Sequence, residues 1–143
     1  MTDMNPDTGD LEHARVEALP INHFNPLLEL LPELRRPPPD LPKDLFRDPD
    51  GTLILDPGNT PEVDRFIALC YELDIVLTSD WNAFVKQRPF HEQHALIDHF
   101  DRYQCCMAIT ALVRGDRFMR GLVHEAWQKG TLARLVERLG ALV

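Results

Sequence analysis

Apolar side chains recur every three or four residues through most of the chain after Thr60, the spacing of amphipathic helices. A first helix is predicted to begin at Thr60, whose hydroxyl can cap it, with Pro61 in the first helical position. A brief helix capped by Ser79-Asp80 follows, and a longer helix is predicted over residues 92–113. The pattern therefore predicts a mainly α fold, organised as a compact helical bundle.

Two more helices are predicted near the C-terminus. Gly115 suits a left-handed residue that closes the preceding helix, and Asp116 can cap the next one. Gly130 marks a second stop, after which the last amphipathic helix begins. The penultimate helix is predicted to bury one broad apolar face, formed by Phe118, Met119, Leu122, Val123, Ala126 and Trp127.

Three parts of the chain differ in composition, since eleven of the twelve prolines precede residue 62. Residues 1–20 are predicted to be an acidic, flexible N-terminus. Residues 21–59 are predicted to be a Pro-rich segment with a short helix and a short strand. Residues 60–143 form the predicted helical domain, so the bundle carries a Pro-rich, acidic N-terminal extension.

Local signals set the expected elements of the Pro-rich segment. A helix starting at Asn25-Pro26 should be shortened or kinked by Pro32, which removes a backbone hydrogen bond. Turn residues flank residues 52–55, which are predicted to form a strand. Pairing with residues 74–77 would give at most a small β-hairpin.

The formal net charge of −8 is unevenly distributed. Residues 1–60 hold 12 acidic and 5 basic side chains, a net of −7, whereas residues 61–143 hold 11 and 10, a net of −1. An acidic protein repels nucleic-acid phosphates and is attracted to basic surfaces, so we expect a basic protein partner and no direct nucleic-acid binding. The expected partner-binding residues are Asp40, Asp44, Asp48, Asp50 and Asp56.

Localisation is inferred from the hydropathy and the cysteines. No apolar run approaches the ~20 residues of a membrane span, so no membrane contact is expected. Cys70, Cys105 and Cys106 are an odd number without CxxC spacing. They are interpreted as thiols of a reducing, cytoplasmic compartment.

The C-terminal half also carries a family resemblance. It contains Asp80-Trp81, then Val113-Arg114-Gly115-Asp116-Arg117-Phe118 with Gly121, Gly130 and a final Leu135-Val136-Glu137-Arg138-Leu139. This pattern, a D-W followed by V-R-x-x-R-F-x-x-G…G…L-x-R-L, resembles a family of small prokaryotic domains of unknown function. The resemblance covers about residues 60–143 and departs at Asn82, where the family tends to have proline. It implies a compact helical fold and no established activity.

Three arginines could act together. Arg114, Arg117 and Arg120 cluster around one helix junction and could grip a phosphate or carboxylate. The structural alternative is that Arg114 and Arg117 hold the junction together through backbone carbonyls or nearby carboxylates, such as those of Asp80, Asp98 and Asp116.

Metal and nucleophile chemistry are disfavoured by spacing. His91, His94, Asp98 and His99 lie within nine residues, yet they do not form an H-E-x-x-H motif. No local arrangement places a base beside a cysteine, and the sequence contains neither a phosphate-binding glycine loop nor a G-x-S-x-G elbow. No metal ligands, catalytic residues or cofactors are therefore predicted.

The sequence favours a non-enzymatic, acidic protein-binding module, such as an inhibitor, immunity protein or phage-type antagonist that covers a basic surface of its partner. The alternative is a small anion- or phosphate-binding domain or enzyme that uses Arg114, Arg117 and Arg120. The oligomeric state stays open.

Overall fold

The computed structural model describes residues 8–38, 46–47, 53–54, 60–119 and 121–142. The chain is mainly α, as its sequence predicts. Short 3₁₀ helices occupy Ile21–Phe24 and His94–His99. The α-helices and strands, in chain order, are α1 (Thr8–Glu17), α2 (Asn25–Leu28), α3 (Leu31–Leu34), β1 (Phe46–Arg47), β2 (Leu53–Ile54), α4 (Pro61–Glu72), α5 (Trp81–Gln87), α6 (Arg102–Gly115), α7 (Leu122–Gln128) and α8 (Thr131–Ala141).

Helix α6 is the centre of the core. Every residue from Cys105 to Val113 is buried, and α1, α5, α7 and α8 all pack against this helix. Val16, Phe24, Leu27 and Leu34, from the first part of the chain, belong to the same apolar cluster. The expected boundary at residue 60 therefore does not separate two cores among the described residues.

The structure places a helix where the sequence predicts a flexible terminus. Within α1, Val16 is fully buried, and the Glu12 carboxylate accepts hydrogen bonds from the backbone and hydroxyl groups of Thr78 and Ser79. These partners lie more than sixty residues away, so no local pattern reveals them. Residues 1–7 of the predicted flexible segment lie outside the described part of the chain.

The predicted strand pairs with a different partner. Phe46 is opposite Ile54 and Arg47 is opposite Leu53 in an antiparallel pair, so residues 74–77 are not the pairing segment. Instead, the Leu77 N–H donates to the buried hydroxyl of Thr110, on α6. That polar contact, which the alternation of apolar residues does not signal, fixes residues 75–77 against the central helix.

The helix predicted over residues 92–113 is split in two. Phe100 has an extended backbone, and Asp101 begins α6 with a capping box, in which its carboxylate accepts from the Gln104 N–H while the Gln104 side chain accepts from the Asp101 N–H. The sequence signal, Asp followed three residues later by Gln, was present. Two of the predicted starts are confirmed: Thr60 caps α4 and Asp80 caps α5.

Candidate functional site

An apolar groove lies between α5, the end of α6 and α7, with a volume of about 600 Å³. Apolar side chains from all three helices and from the segment after α5 form most of its wall. The central ones are Trp81, Val85, Phe90, Leu112, Leu122 and Ala126.

Two local features bring the walls of this groove together. The Asp80 carboxylate accepts the Ala83 N–H at 3.1 Å, which starts α5 with Trp81 facing the groove. Gly115 lies at the other wall, where an added Cβ would come within 2.8 Å of the Leu122 side chain. The lack of a side chain at Gly115 therefore permits the close approach of α6 and α7. Gly115 is helical, so the predicted left-handed conformation at this residue is wrong.

Phe118 and Met119 stand on the edge of the groove and are exposed to 84% and 63%. The sequence predicts them on the buried face of the penultimate helix, and that prediction is wrong because α7 begins only at Leu122. Gly121 has a φ of +91°, a left-handed conformation that favours glycine and breaks the helical path. The Phe118–Met119 pair therefore protrudes from a turn.

Asp116 still helps to begin α7, although it is not the residue directly before it. Its Oδ1 accepts the Val123 N–H at 3.1 Å. The sequence thus indicated the correct capping side chain, which acts from the far end of the turn. The turn is fixed at both ends while its apolar side chains point away from the core.

Charges of both signs border the groove. Lys129 and Glu125 form an ion pair at 2.6 Å. Lys86 is exposed and makes no ion pair with any described residue, and Glu92 lies 3.8 Å from the His91 ring. The border therefore offers both a cation and an anion beside an apolar wall.

The three arginines do not share one role. Arg114 is half-buried, and its Nε donates to the Leu77 carbonyl oxygen at 2.9 Å, which is the contact expected from the structural alternative. Arg117 is exposed, and its side chain makes no hydrogen bond or ion pair with a described residue. Arg120 lies outside the described residues.

A shallow cavity does contain Arg114 and Arg117. Asp64, Asp116 and Tyr71 line the same cavity, which has a volume of about 450 Å³. The two carboxylates oppose the field of the two guanidinium groups in this cavity. The predicted partner-binding residues Asp40, Asp44, Asp48, Asp50 and Asp56 lie outside the described part of the chain.

Two of the residues considered as metal ligands, His94 and Asp98, have separate partners. His94 Nε2 lies 2.8 Å from the Thr131 hydroxyl, and Asp98 binds Arg134 at 2.8 Å. Burial, followed by the charges of Arg134 and Lys129, lowers the pKa of His94. Bonding to Arg134 lowers the pKa of Asp98. These contacts hold the second 3₁₀ helix, His94–His99, against α8.

A different trio converges between α1 and α6. His13, Glu17 and Asp101 each have a ligand-type atom within 4.8 Å of the others, and we call them the α1–α6 cluster. Both carboxylates already accept backbone N–H groups: Glu17 from Tyr103 and Asp101 from Gln104. The cluster therefore connects the N-terminal helix to the first turn of α6. Because His13 and Asp101 are 88 positions apart, spacing could not reveal the cluster.

The cysteines are buried among apolar side chains. Burial raises the pKa of Cys70 and Cys105 to about 12 and raises that of Cys106 well above its usual value. Such thiols stay protonated near neutral pH, which makes them poor nucleophiles.

Comparison with known proteins identifies a family that covers most of the chain. The model of DUF6508, a family of unknown function, matches residues 19–143. The chain belongs to this family. No curated protein and no solved structure matches the chain significantly.

The match extends the region that the sequence resemblance covers. Residues 19–59 belong to the DUF6508 region, whereas the resemblance began at about residue 60. This agrees with the packing, because Phe24, Leu27 and Leu34 lie in the common core. The DUF6508 match begins after α1. None of the described helices is long and apolar enough to cross a membrane.

Proposed function

We propose that the protein is a non-enzymatic protein-binding module whose contact surface is the apolar groove together with the Phe118–Met119 pair. The observation that carries the proposal is the exposure of these two large apolar side chains beside an apolar recess. An exposed apolar patch bordered by polar residues is a common mark of an interaction site. Phenylalanine, tryptophan and methionine are also enriched where proteins meet.

The chemistry of the groove favours binding over catalysis. Its wall is mostly apolar, and its charged groups stand at the edge, where water screens them. The thiols are protonated and buried elsewhere. The anion-binding alternative has weaker support, because Arg114 is engaged by Leu77 and Asp64 faces the same cavity as Arg117.

The proposal includes a basic protein partner. The N-terminal 60 residues carry a net of −7, and the five aspartates named above would supply the contact to a basic surface. An inhibitor, immunity protein or phage-type antagonist in the cytoplasm of a prokaryote is the role that we propose. The groove and the acidic segment would then be separate contact surfaces.

Affinity capture from the encoding organism tests the proposal, using the wild type, a Phe118→Asp variant and a variant with the five aspartates changed to asparagine. Leu11→Asp is the control, because Leu11 is 58% exposed but lies outside the groove. We expect association that depends on Phe118, and separate association that depends on the aspartates and weakens with salt. The capture is carried out at low and at high salt. If all four proteins recover the same partners in equal amounts at both salt concentrations, the proposed function is refuted.

A further inference from the structure

We propose that the apolar groove and the Phe118–Met119 pair form a two-fold interface with a second copy of this chain. This inference rests on the proposed function, since it names the partner of the same surface. In a two-fold contact the same patch meets itself, so each patch must present both a projection and a recess. Phe118 supplies the projection and the apolar groove supplies the recess.

The two features lie side by side. Phe118 and Met119 belong to the edge of the groove, yet most of the Phe118 side chain is in solvent. Each copy can therefore place its Phe118 against the groove of the other, near Trp81 and Leu122. Both apolar surfaces leave water in the same contact, which is the main driving force for association.

The charges at the edge also fit a copy of the chain. Lys86 and Glu92 carry opposite signs, and both are exposed. A two-fold axis can bring the Lys86 of one copy toward the Glu92 of the other. A strongly acidic peptide or an anionic lipid surface would gain from Lys86 but would meet repulsion from Glu92.

The overall charge of −8 does not oppose this contact strongly. Residues 61–143, which contribute every residue of the groove, carry a net of only −1. At physiological ionic strength, charges separated by more than about 8 Å are largely screened. Acidic residues of the first part of the chain that lie more than about 8 Å from the contact therefore add little repulsion.

Sedimentation velocity over two orders of magnitude in protein concentration tests the interface. The wild type and the Leu11→Asp control should change from monomer to dimer as concentration rises. Phe118→Asp should raise the dissociation constant at least about 30-fold, as expected for loss of a central apolar anchor. Because Phe118 is mostly exposed, this variant should keep the circular dichroism spectrum and melting temperature of the wild type.

Two further readouts identify the surface. The emission of Trp81 should shift to shorter wavelength on association of the wild type, with no such shift in Phe118→Asp. Lys86→Glu should weaken the dimer, and adding Glu92→Lys in the same chain should restore part of the affinity. A dimer that both Phe118→Asp and Lys86→Glu leave unchanged would place the interface elsewhere and overturn the inference.

The outcomes also separate the inference from the function. If the wild type stays a monomer at every concentration but captures another protein through Phe118, the second copy is wrong and the binding function stands. If Phe118→Asp changes neither self-association nor capture, both proposals fail for this surface. If the protein associates with anionic vesicles but not with itself, the two-fold contact is likewise wrong.

Discussion

Arg114 and Arg117 provide the sharpest test of whether the arginine cluster is structural or binds a ligand. Replacing Arg114 by alanine removes the 2.9 Å hydrogen bond from its Nε to the Leu77 carbonyl oxygen. Leu77 is fully buried, so water cannot readily replace the lost donor. Arg117 offers a matched change one turn away, because it is exposed and makes no ion pair with a described residue.

The expected cost follows from the kind of bond that is lost. A hydrogen bond from a charged donor to a buried carbonyl contributes about 1–3 kcal/mol, and the half-buried position of Arg114 favours the lower part of this range. For a chain of this length the melting temperature should fall by roughly 3–10 °C. Arg117→Ala should change the free energy of unfolding by no more than about 0.5 kcal/mol.

Urea and thermal unfolding of the wild type and both variants, each with and without inorganic phosphate, give the required comparison. A ligand that binds only the folded state raises the free energy of unfolding by RT ln(1 + [L]/Kd), so the effect grows with ligand concentration. We expect phosphate to have the same small effect on all three proteins. The structural reasoning is refuted if Arg114→Ala is as stable as the wild type while either variant loses a stabilisation that phosphate gives to the wild type.

Other contacts give further predictions. Burial would raise the pKa of Glu12, but hydrogen bonds from Ser79 and Thr78 outweigh it, so the folded pKa lies below the unfolded one. The stabilising effect of the ionised Glu12 is therefore present above the unfolded pKa and lost as pH falls through the folded pKa. Glu12→Gln should lower the free energy of unfolding by about 1–2 kcal/mol near neutral pH but by little in acid. The control Asp10→Asn should show no such dependence on pH. If urea unfolding shows that Glu12→Gln lowers the free energy of unfolding equally near neutral pH and in acid, this prediction is wrong. Chelator should not lower the melting temperature; a drop of many degrees with release of stoichiometric zinc would contradict the expectation that the protein folds without metal. A thiol reagent should modify Cys70, Cys105 and Cys106 only after denaturation, because burial raises their pKa. Fast labelling of the native protein would contradict that expectation.

Elements that depend on neighbouring residues were predictable from the sequence. Thr60 with Pro61 begins α4, Asp80 begins α5, and Gly130 separates the last two helices as predicted. Each of these signals acts within one helical turn, so it can be read without knowledge of the tertiary contacts. Pro32 likewise lies in the first turn of α3, separate from α2.

Contacts between distant segments could not be read in this way. Glu12 binds residues 78–79, and the α1–α6 cluster joins side chains 88 positions apart. The sequence around Glu12 has no unusual feature, so only the folded chain reveals that α1 is held in place. For the same reason, the sequence left two alternatives for Arg114, and only the folded chain shows that its Nε contacts the Leu77 carbonyl oxygen.

The exposed turn was missed for a different reason. Phe118 and Met119 fit the helical spacing of Leu122 and Ala126, and apolar periodicity assumes that such residues face the core. That assumption fails where function requires an apolar side chain in water. The isolated Gly121 was the available signal, but glycine also occurs at close helix contacts, so it does not by itself indicate a left-handed turn.

The signature that resembles the family can be divided by what each residue does in this chain. Arg114 holds the Leu77 carbonyl oxygen, and Gly121 provides the left-handed residue before α7. The first contact holds the end of α6 against the segment that contains Leu77, and the second shapes the turn. Phe118 belongs to the same signature, yet it contributes little to the core because 84% of it is exposed. Leaving a phenylalanine in water forgoes about 1.5–3 kcal/mol of burial. Folding accounts for Arg114 and Gly121 but not for the exposure of Phe118. Contact with another protein surface is therefore the physical reason that we assign to Phe118.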